Sequence, residues 1–231
     1  MVGIKGLEKT SLIDYPGRMA AVIFLGGCNF RCPFCHNREL VLEPEKSGSI
    51  PEQEVLDFLE GRREWLDGIV VSGGEPTIYR DLPEFFGKLK GLGYPVKLDT
   101  NGTNPGMLKE LMEKGLVDYI AMDIKGPLES YGKASGASVD TEKIKESIKL
   151  IIDSGIEHEF RSTVLPAMHA KEDVEEMAKL VKGANKLYLQ QFRPKNTLDP
   201  DFEREKPFQE SEMLELRDLC AKHADTAVRM A

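Results

Sequence analysis

Three cysteines fall in one short stretch. Cys28, Cys32 and Cys35 stand in Gly26-Gly27-Cys28-Asn29-Phe30-Arg31-Cys32-Pro33-Phe34-Cys35-His36-Asn37, with the spacing C-x3-C-x2-C. Three neighbouring thiolates hold a soft metal centre, either zinc or an iron–sulfur cluster. A closed zinc site takes four ligands. A [4Fe–4S] cluster has four irons, so three cysteines leave one iron open to a further ligand. His36 could complete a Cys3His zinc site, but it adjoins Cys35, and shared tetrahedral ligation is then awkward. The remaining cysteine, Cys220, ends the amphipathic segment LELRDLC and reads as a core residue.

Other polar residues gather at the ends of apolar runs. Val70-Val71-Ser72 leads into Gly73-Gly74-Glu75-Pro76. Glycines at a strand end let a ligand approach the backbone closely, although a turn explains them equally well. Leu98 is followed by Asp99-Thr100-Asn101-Gly102, which also suits an Asx turn ahead of a helix. Met122 is followed by Asp123-Ile124-Lys125, and strand alternation puts Asp123 and Lys125 on one face. In FRSTVLP, Arg161 and Thr163 share a face in the same way, either inward or structural.

These residues need strands to carry them. Apolar, β-branched runs occur at 19–25, 68–71, 95–98, 117–122, 156–165 and 187–189, with a possible further run at 226–230. Helix-length amphipathic stretches at 51–65, 82–92, 104–114, 141–153, 171–182 and 210–223 alternate with them. Trp65 and the Phe85–Phe86 pair read as core residues of these helices. Six or seven β–α repeats predict a parallel sheet with helices outside it. A complete eight-fold α/β barrel takes about 250 residues, and this chain has 231 and a long early loop. The expected fold is therefore an incomplete (β/α)6 parallel barrel, with a doubly wound sheet as the alternative. No linker splits the chain. A single domain over 1–231 is expected, with a core at about 11–194 and a C-terminal helix and last strand in 195–231.

Composition narrows the function classes. The chain is 41% hydrophobic and 30% charged, which supports a buried core rather than disorder. Its net charge of −8 argues against nucleic acid as a partner. No apolar run approaches a membrane span, and the opening segment lacks a signal-peptide core, so a cytoplasmic protein is expected. Clustered cysteines in such a chain read as metal chemistry before disulfides.

The segment CNFRCPFCHN resembles the signature of the radical S-adenosylmethionine (SAM) enzymes. That resemblance implies a [4Fe–4S] cluster on Cys28, Cys32 and Cys35, with SAM on the open iron, and Phe34 near its adenine. It implies that Gly73, Gly74 and Glu75 hold the SAM amino group. Asp99, Asn101, Asp123 and Lys125 become polar SAM contacts, with Lys125 towards the carboxylate. No catalytic group is implied beyond the cluster and SAM.

Ile13-Asp14-Tyr15-Pro16-Gly17, Cys35-His36-Asn37, Asp-Thr-Asn-Gly and Asp-x-Lys together are similar to the glycyl-radical-enzyme activating branch. The likeness is greatest to the activators of anaerobic ribonucleotide reductase and runs from about Ser11 to Pro194. It implies a glycyl radical enzyme as protein substrate and flavodoxin or ferredoxin as electron donor. His36 and Asn37 belong to the implied site. Arg193, in Gln190-Gln191-Phe192-Arg193-Pro194, stands where that branch often has a SAM-touching histidine. Three alternatives remain at this point. One is a radical SAM enzyme acting on a small molecule, like 7-carboxy-7-deazaguanine synthase. Another acts on a peptide. The third is a non-catalytic iron–sulfur or zinc protein.

Overall fold

The computed structural model describes residues 1–46 and 48–230. Its strands are β1 (Ile4–Ser11), β2 (Ala20–Leu25), β3 (Gly68–Gly73), β4 (Val96–Thr100), β5 (Tyr119–Asp123), β6 (Glu157–Val164), β7 (Leu187–Gln191) and β8 (Thr226–Arg229), and sheet order follows chain order. The helices are α1 (Arg38–Leu42), α2 (Glu52–Glu60), α3 (Leu82–Gly91), α4 (Pro105–Glu113), α5 (Tyr131–Ser135), α6 (Thr141–Asp153), α7 (Lys171–Leu180) and α8 (Glu210–Cys220). All seven expected strand runs are present. The fold class is the expected α/β type, with parallel pairing in β2–β3, β3–β4, β6–β7 and β7–β8.

The chain forms two units by its internal contacts. One comprises Met1–Asn29, Glu39–Thr100 and Asn104–Ile120. The other comprises Phe30–Arg38, Asn101–Thr103 and Ala121–Ala231.

In the first unit, β2 reads AAVIFL and is almost wholly buried, as a parallel strand covered on both faces should be. β1 was not legible as a strand. It pairs antiparallel with β2, from Ile4 opposite Leu25 to Ser11 opposite Ala20, with two register shifts. Its Gly6, Glu8 and Lys9 blur the apolar pattern, and charged residues suit a strand at the end of the sheet order. Tyr15, from the Ile13–Gly17 segment, packs with Ala20, Val22 and Val70, and its ring meets Tyr119 at 5.7 Å. That segment therefore closes a core as well as carrying a motif.

Helix limits follow capping chemistry. Pro105 opens α4, and the Asn104 carboxamide oxygen accepts from the Met107 amide at 3.2 Å. Asp140 caps α6 by accepting from the Glu142 amide at 3.1 Å. α3 buries Leu82, Phe85, Phe86 and Leu89, whereas α6 buries Ile144, Ile148 and Ile151. Fully burying such a side chain contributes about 1.5–3 kcal/mol. Truncating Phe86 to Ala would cost about 3–5 kcal/mol. Trp65 departs from the core expectation, being 68% exposed. α2 stops at Glu60, and the turn that follows carries the indole out of the helix stripe.

Candidate active site

Within the first unit, the segments after β2 and β3 lie against each other. The Gly74 amide donates to the Leu25 carbonyl and the Glu75 amide to the Gly27 carbonyl, both at 2.9 Å. This approach requires glycine. A Cβ on Gly74 would stand 1.8 Å from the Gly27 oxygen, and one on Gly73, whose φ is +121°, 2.2 Å from the Leu25 oxygen. The Tyr79 hydroxyl donates to the Gly26 carbonyl at 2.7 Å and steadies the approach to Cys28.

Glu75 is fully buried. Its Oε1 accepts from the Thr77 amide (3.0 Å), the Thr77 hydroxyl (2.5 Å) and the Thr100 hydroxyl (2.8 Å). The carboxylate thus ties the end of β3 to the end of β4. Asp99, also at the end of β4, receives Lys97 Nζ on Oδ1 at 2.5 Å and the Ser72 hydroxyl on Oδ2 at 3.1 Å. Lys97 is 1% exposed and also lies over the Tyr119 ring. A buried ammonium needs such a partner. Lys97 and Thr100 were not singled out by sequence reasoning, although alternation places Lys97 on the face of Asp99.

The second unit holds the rest of the cysteine loop. The Cys35 amide donates to the Cys32 carbonyl at 3.0 Å. The Arg31 amide donates to the Ser135 carbonyl at 2.8 Å, and Phe30 meets the Tyr131 ring edge-on. Gly136 permits this contact, since a Cβ there would stand 2.2 Å from the Arg31 oxygen. On the other side, Leu198 donates to the Cys35 carbonyl (2.8 Å) and Asp199 to the Pro33 carbonyl (3.0 Å). α5 and the Thr197–Asp199 segment therefore hold the loop by its backbone.

Asp123 accepts from Arg161 Nε at 2.8 Å and from Lys125 Nζ at 3.0 Å. Burial alone would raise its pKa, but the two cations outweigh burial and hold the carboxyl well below the usual range. Burial would likewise lower the pKa of Lys125. Asp123 and the Cys32 and Cys35 thiols outweigh that and raise it. The ammonium is thus kept charged beside two loop cysteines. The Tyr131 hydroxyl accepts from the Lys125 amide at 3.3 Å and donates to the Asp123 carbonyl at 3.4 Å. Arg161 is thus held in an ion pair with Asp123.

The other expected residues are placed as follows. Phe34 is buried, and Asn37 is half-buried. His36 is exposed on the loop, with Nε2 2.8 Å from the Arg193 carbonyl and its ring stacked on Phe192. Arg193 thus meets the cysteine loop through its backbone, while its residue surface is exposed. Asn101 forms the Asx turn, accepting from the Thr103 amide and hydroxyl at 3.0 and 2.7 Å. Helix capping falls instead to Asn104. Cys220 is buried, its thiol pushed up to about 12 by burial, as expected for a core cysteine.

The donor set fits a cluster and SAM. Cys28 and Cys35 are partly exposed, and Cys32 is buried. Glycines line the backbone beside Cys28, and anchored carboxylates and a charged ammonium suit a zwitterionic ligand. Among the described residues, no three His, Cys, Asp or Glu side chains are gathered into a single-ion site. The ligand roles therefore rest on thiol chemistry, spacing and exposure.

Comparison with known proteins places this arrangement. The radical SAM superfamily model matches residues 22–182. A Methanocaldococcus jannaschii protein assigned as a glycyl-radical enzyme activating enzyme is 38% identical over 231 residues, covering 97% of this chain and 94% of that protein. The pyruvate formate-lyase-activating enzyme of Clostridium pasteurianum is 24% identical, covering 84% of this chain and 82% of that enzyme. The crystal structure of Streptococcus suis SuiB bound to precursor peptide SuiA shares the fold, with a TM-score of 0.71 at 13% identity. That match covers 90% of this chain but only 48% of SuiB. The sheet is thus the incomplete parallel α/β barrel type of this superfamily. The chain belongs to the radical SAM superfamily, and its cofactors are a [4Fe–4S] cluster and S-adenosylmethionine.

Proposed function

We propose that this enzyme activates a glycyl radical enzyme, of the anaerobic ribonucleotide reductase type. The observation that carries the reading is the near end-to-end likeness to the M. jannaschii activating protein. The Ile13–Gly17, Cys-His-Asn, Asp-Thr-Asn-Gly and Asp-x-Lys motifs support it.

Cys28, Cys32 and Cys35 hold the cluster. A reduced cluster bound there would supply the electron for cleavage of SAM to methionine and a 5′-deoxyadenosyl radical, the chemistry needed to remove the Cα hydrogen of a glycine in the partner. The chain's own residues bind and orient. Gly73 and Gly74 clear the backbone for the SAM amino group, and Glu75 fixes that turn. Asp123 stays anionic between its two cations, Lys97 and Ser72 hold Asp99, Asn101 shapes the turn beside Asp99, and Lys125 faces the SAM carboxylate. Phe34 walls off the adenine. His36, Asn37 and Arg193 complete the polar rim. The electron donor is a flavodoxin or ferredoxin, and the setting is the cytoplasm. Among the described residues no helix is long and apolar enough to cross a membrane.

The test is anaerobic reconstitution with iron and sulfide, then dithionite and SAM. A [4Fe–4S] spectrum and 5′-deoxyadenosine are expected. Adding a candidate anaerobic ribonucleotide reductase should give the glycyl doublet by electron paramagnetic resonance. Stoichiometric zinc without SAM cleavage would overturn the enzyme reading. SAM cleavage that turns over a small molecule, with no glycyl signal, would overturn the activator reading.

A further inference from the structure

His169 has no part in the motifs above, yet it touches two of them. It follows the turn Leu165-Pro166-Ala167-Met168, in which Met168 and His169 both donate their amides to the Leu165 carbonyl, at 3.1 and 3.0 Å. The side chain is folded inward and 2% exposed. Nε2 lies 2.9 Å from the Lys125 carbonyl, and Nδ1 lies 3.4 Å from the Leu165 amide nitrogen. The ring stands edge-on to Phe34, with centroids 6.4 Å apart at 69°.

The partners fix the tautomer. A carbonyl only accepts, so Nε2 carries the proton, and an amide only donates, so Nδ1 is the bare acceptor. The ring is therefore neutral and held at both nitrogens. Burial acts in the same direction. Such a ring cannot rotate without losing both contacts, and an unsatisfied buried group costs about 1–3 kcal/mol. Fixed this way, it sets the peptide of Lys125 against the aromatic between Cys32 and Cys35.

We infer that His169 is a positioning residue for SAM. It holds the backbone that carries Lys125 and the ring of Phe34 in one fixed relation, so that one ligand can meet both. This rests on the reading of Lys125 and Phe34 as SAM contacts. Its contacts run to the Lys125 carbonyl and the Phe34 ring, so its loss should weaken SAM binding and leave cluster loading intact.

The experiment compares wild type, His169→Leu and His169→Gln, each reconstituted anaerobically. Gln can keep the donor to the Lys125 carbonyl, whereas Leu cannot. Three quantities are read: iron and sulfide per chain, the Kd for labelled SAM by equilibrium dialysis, and KM and kcat for 5′-deoxyadenosine formation. His169→Leu should keep wild-type iron, with Kd and KM for SAM raised about tenfold, a change of ~1.4 kcal/mol, and kcat within threefold. His169→Gln should restore most of the affinity. Unchanged SAM affinity in the Leu variant overturns the inference. So does an affinity loss that follows iron loss, or one that Gln fails to rescue in a folded, iron-replete protein. Failure of wild type to bind or cleave SAM would instead sink the functional reading itself.

Discussion

Arg161 Nε, from within β6, and Asp123 Oδ1, at the end of β5, meet at 2.8 Å. The same carboxylate takes Lys125 on its other oxygen. Two cations on one carboxylate make Lys125 less able to swing away, because its partner is already fixed by the strand-borne guanidinium.

Replacing Arg161 by Met should therefore loosen Asp123 without emptying the site. The Asp123 carboxylate is 28% exposed, so the cost is nearer ~1–2 kcal/mol than the larger penalty of a fully buried broken pair. Its folded pKa lies below the unfolded value of about 3.9. The ion-pair contribution is then full above that value and fades as pH falls through the folded pKa. Urea unfolding at several pH values should show a constant wild-type advantage at pH 5–8 that shrinks below about pH 4. An advantage that grows on acidification would contradict the assignment.

Gly74→Ala and Gly87→Ala should move stability in opposite directions. The first puts a methyl where the Gly27 oxygen lies, and backbone must shift. A loss of about 2–4 kcal/mol is expected, as for other strongly strained sites. Gly87 lies in α3 with nothing within 4 Å of its would-be Cβ, so alanine there should stabilise by about 0.5–1 kcal/mol. Thermal unfolding of the apo-proteins distinguishes the two. A tolerated Gly74→Ala would show that the approach of Gly74 to Gly27 is not tight.

The four cysteines should divide three to one. Alanine at Cys28, Cys32 or Cys35 should each abolish cluster loading, read as iron per chain. Alanine at Cys220 should leave iron unchanged and cost about 1–2 kcal/mol for a small buried side chain whose thiol donates to the Val174 carbonyl. In the native apo-protein, iodoacetamide should label partly exposed Cys28 and Cys35 before Cys220, whose thiol stays protonated. Rapid labelling of Cys220 would contradict its buried position.

Glu75→Gln tests whether the buried carboxylate acts as a strand tie. Its three donors from Thr77 and Thr100 include charge-assisted bonds, and the amide weakens them. A destabilisation of about 1–3 kcal/mol in the apo-protein is expected. No change in apo stability, with lost SAM binding alone, would show the carboxylate to be a ligand contact and not a tie.

The sequence made the strand ends legible because their chemistry is local. C-x3-C-x2-C, Gly-Gly-Glu and Asp-x-Lys each fit within a few residues, and apolar runs mark the strands that carry them. What escaped notice depends on partners distant in the chain. Tyr131 and Gly136 matter because they meet Phe30 and Arg31, and His169 because it meets Lys125 and Phe34. No periodicity encodes those meetings. β1 escaped because its glycine and charges suit an outer strand whose main support is pairing with β2. Trp65 was misplaced because a helix end, unlike its middle, does not continue the stripe.

The two hydrogen bonds from Leu198 and Asp199 onto Cys35 and Pro33 carry a consequence for biosynthesis. A growing chain exposes its cysteines early, but the segment that latches their loop is translated only after β7. Until that segment emerges, the cysteine loop lacks these two backbone hydrogen bonds. A chain stopped just past Pro194 would keep all three cysteines and lack both hydrogen bonds onto their loop.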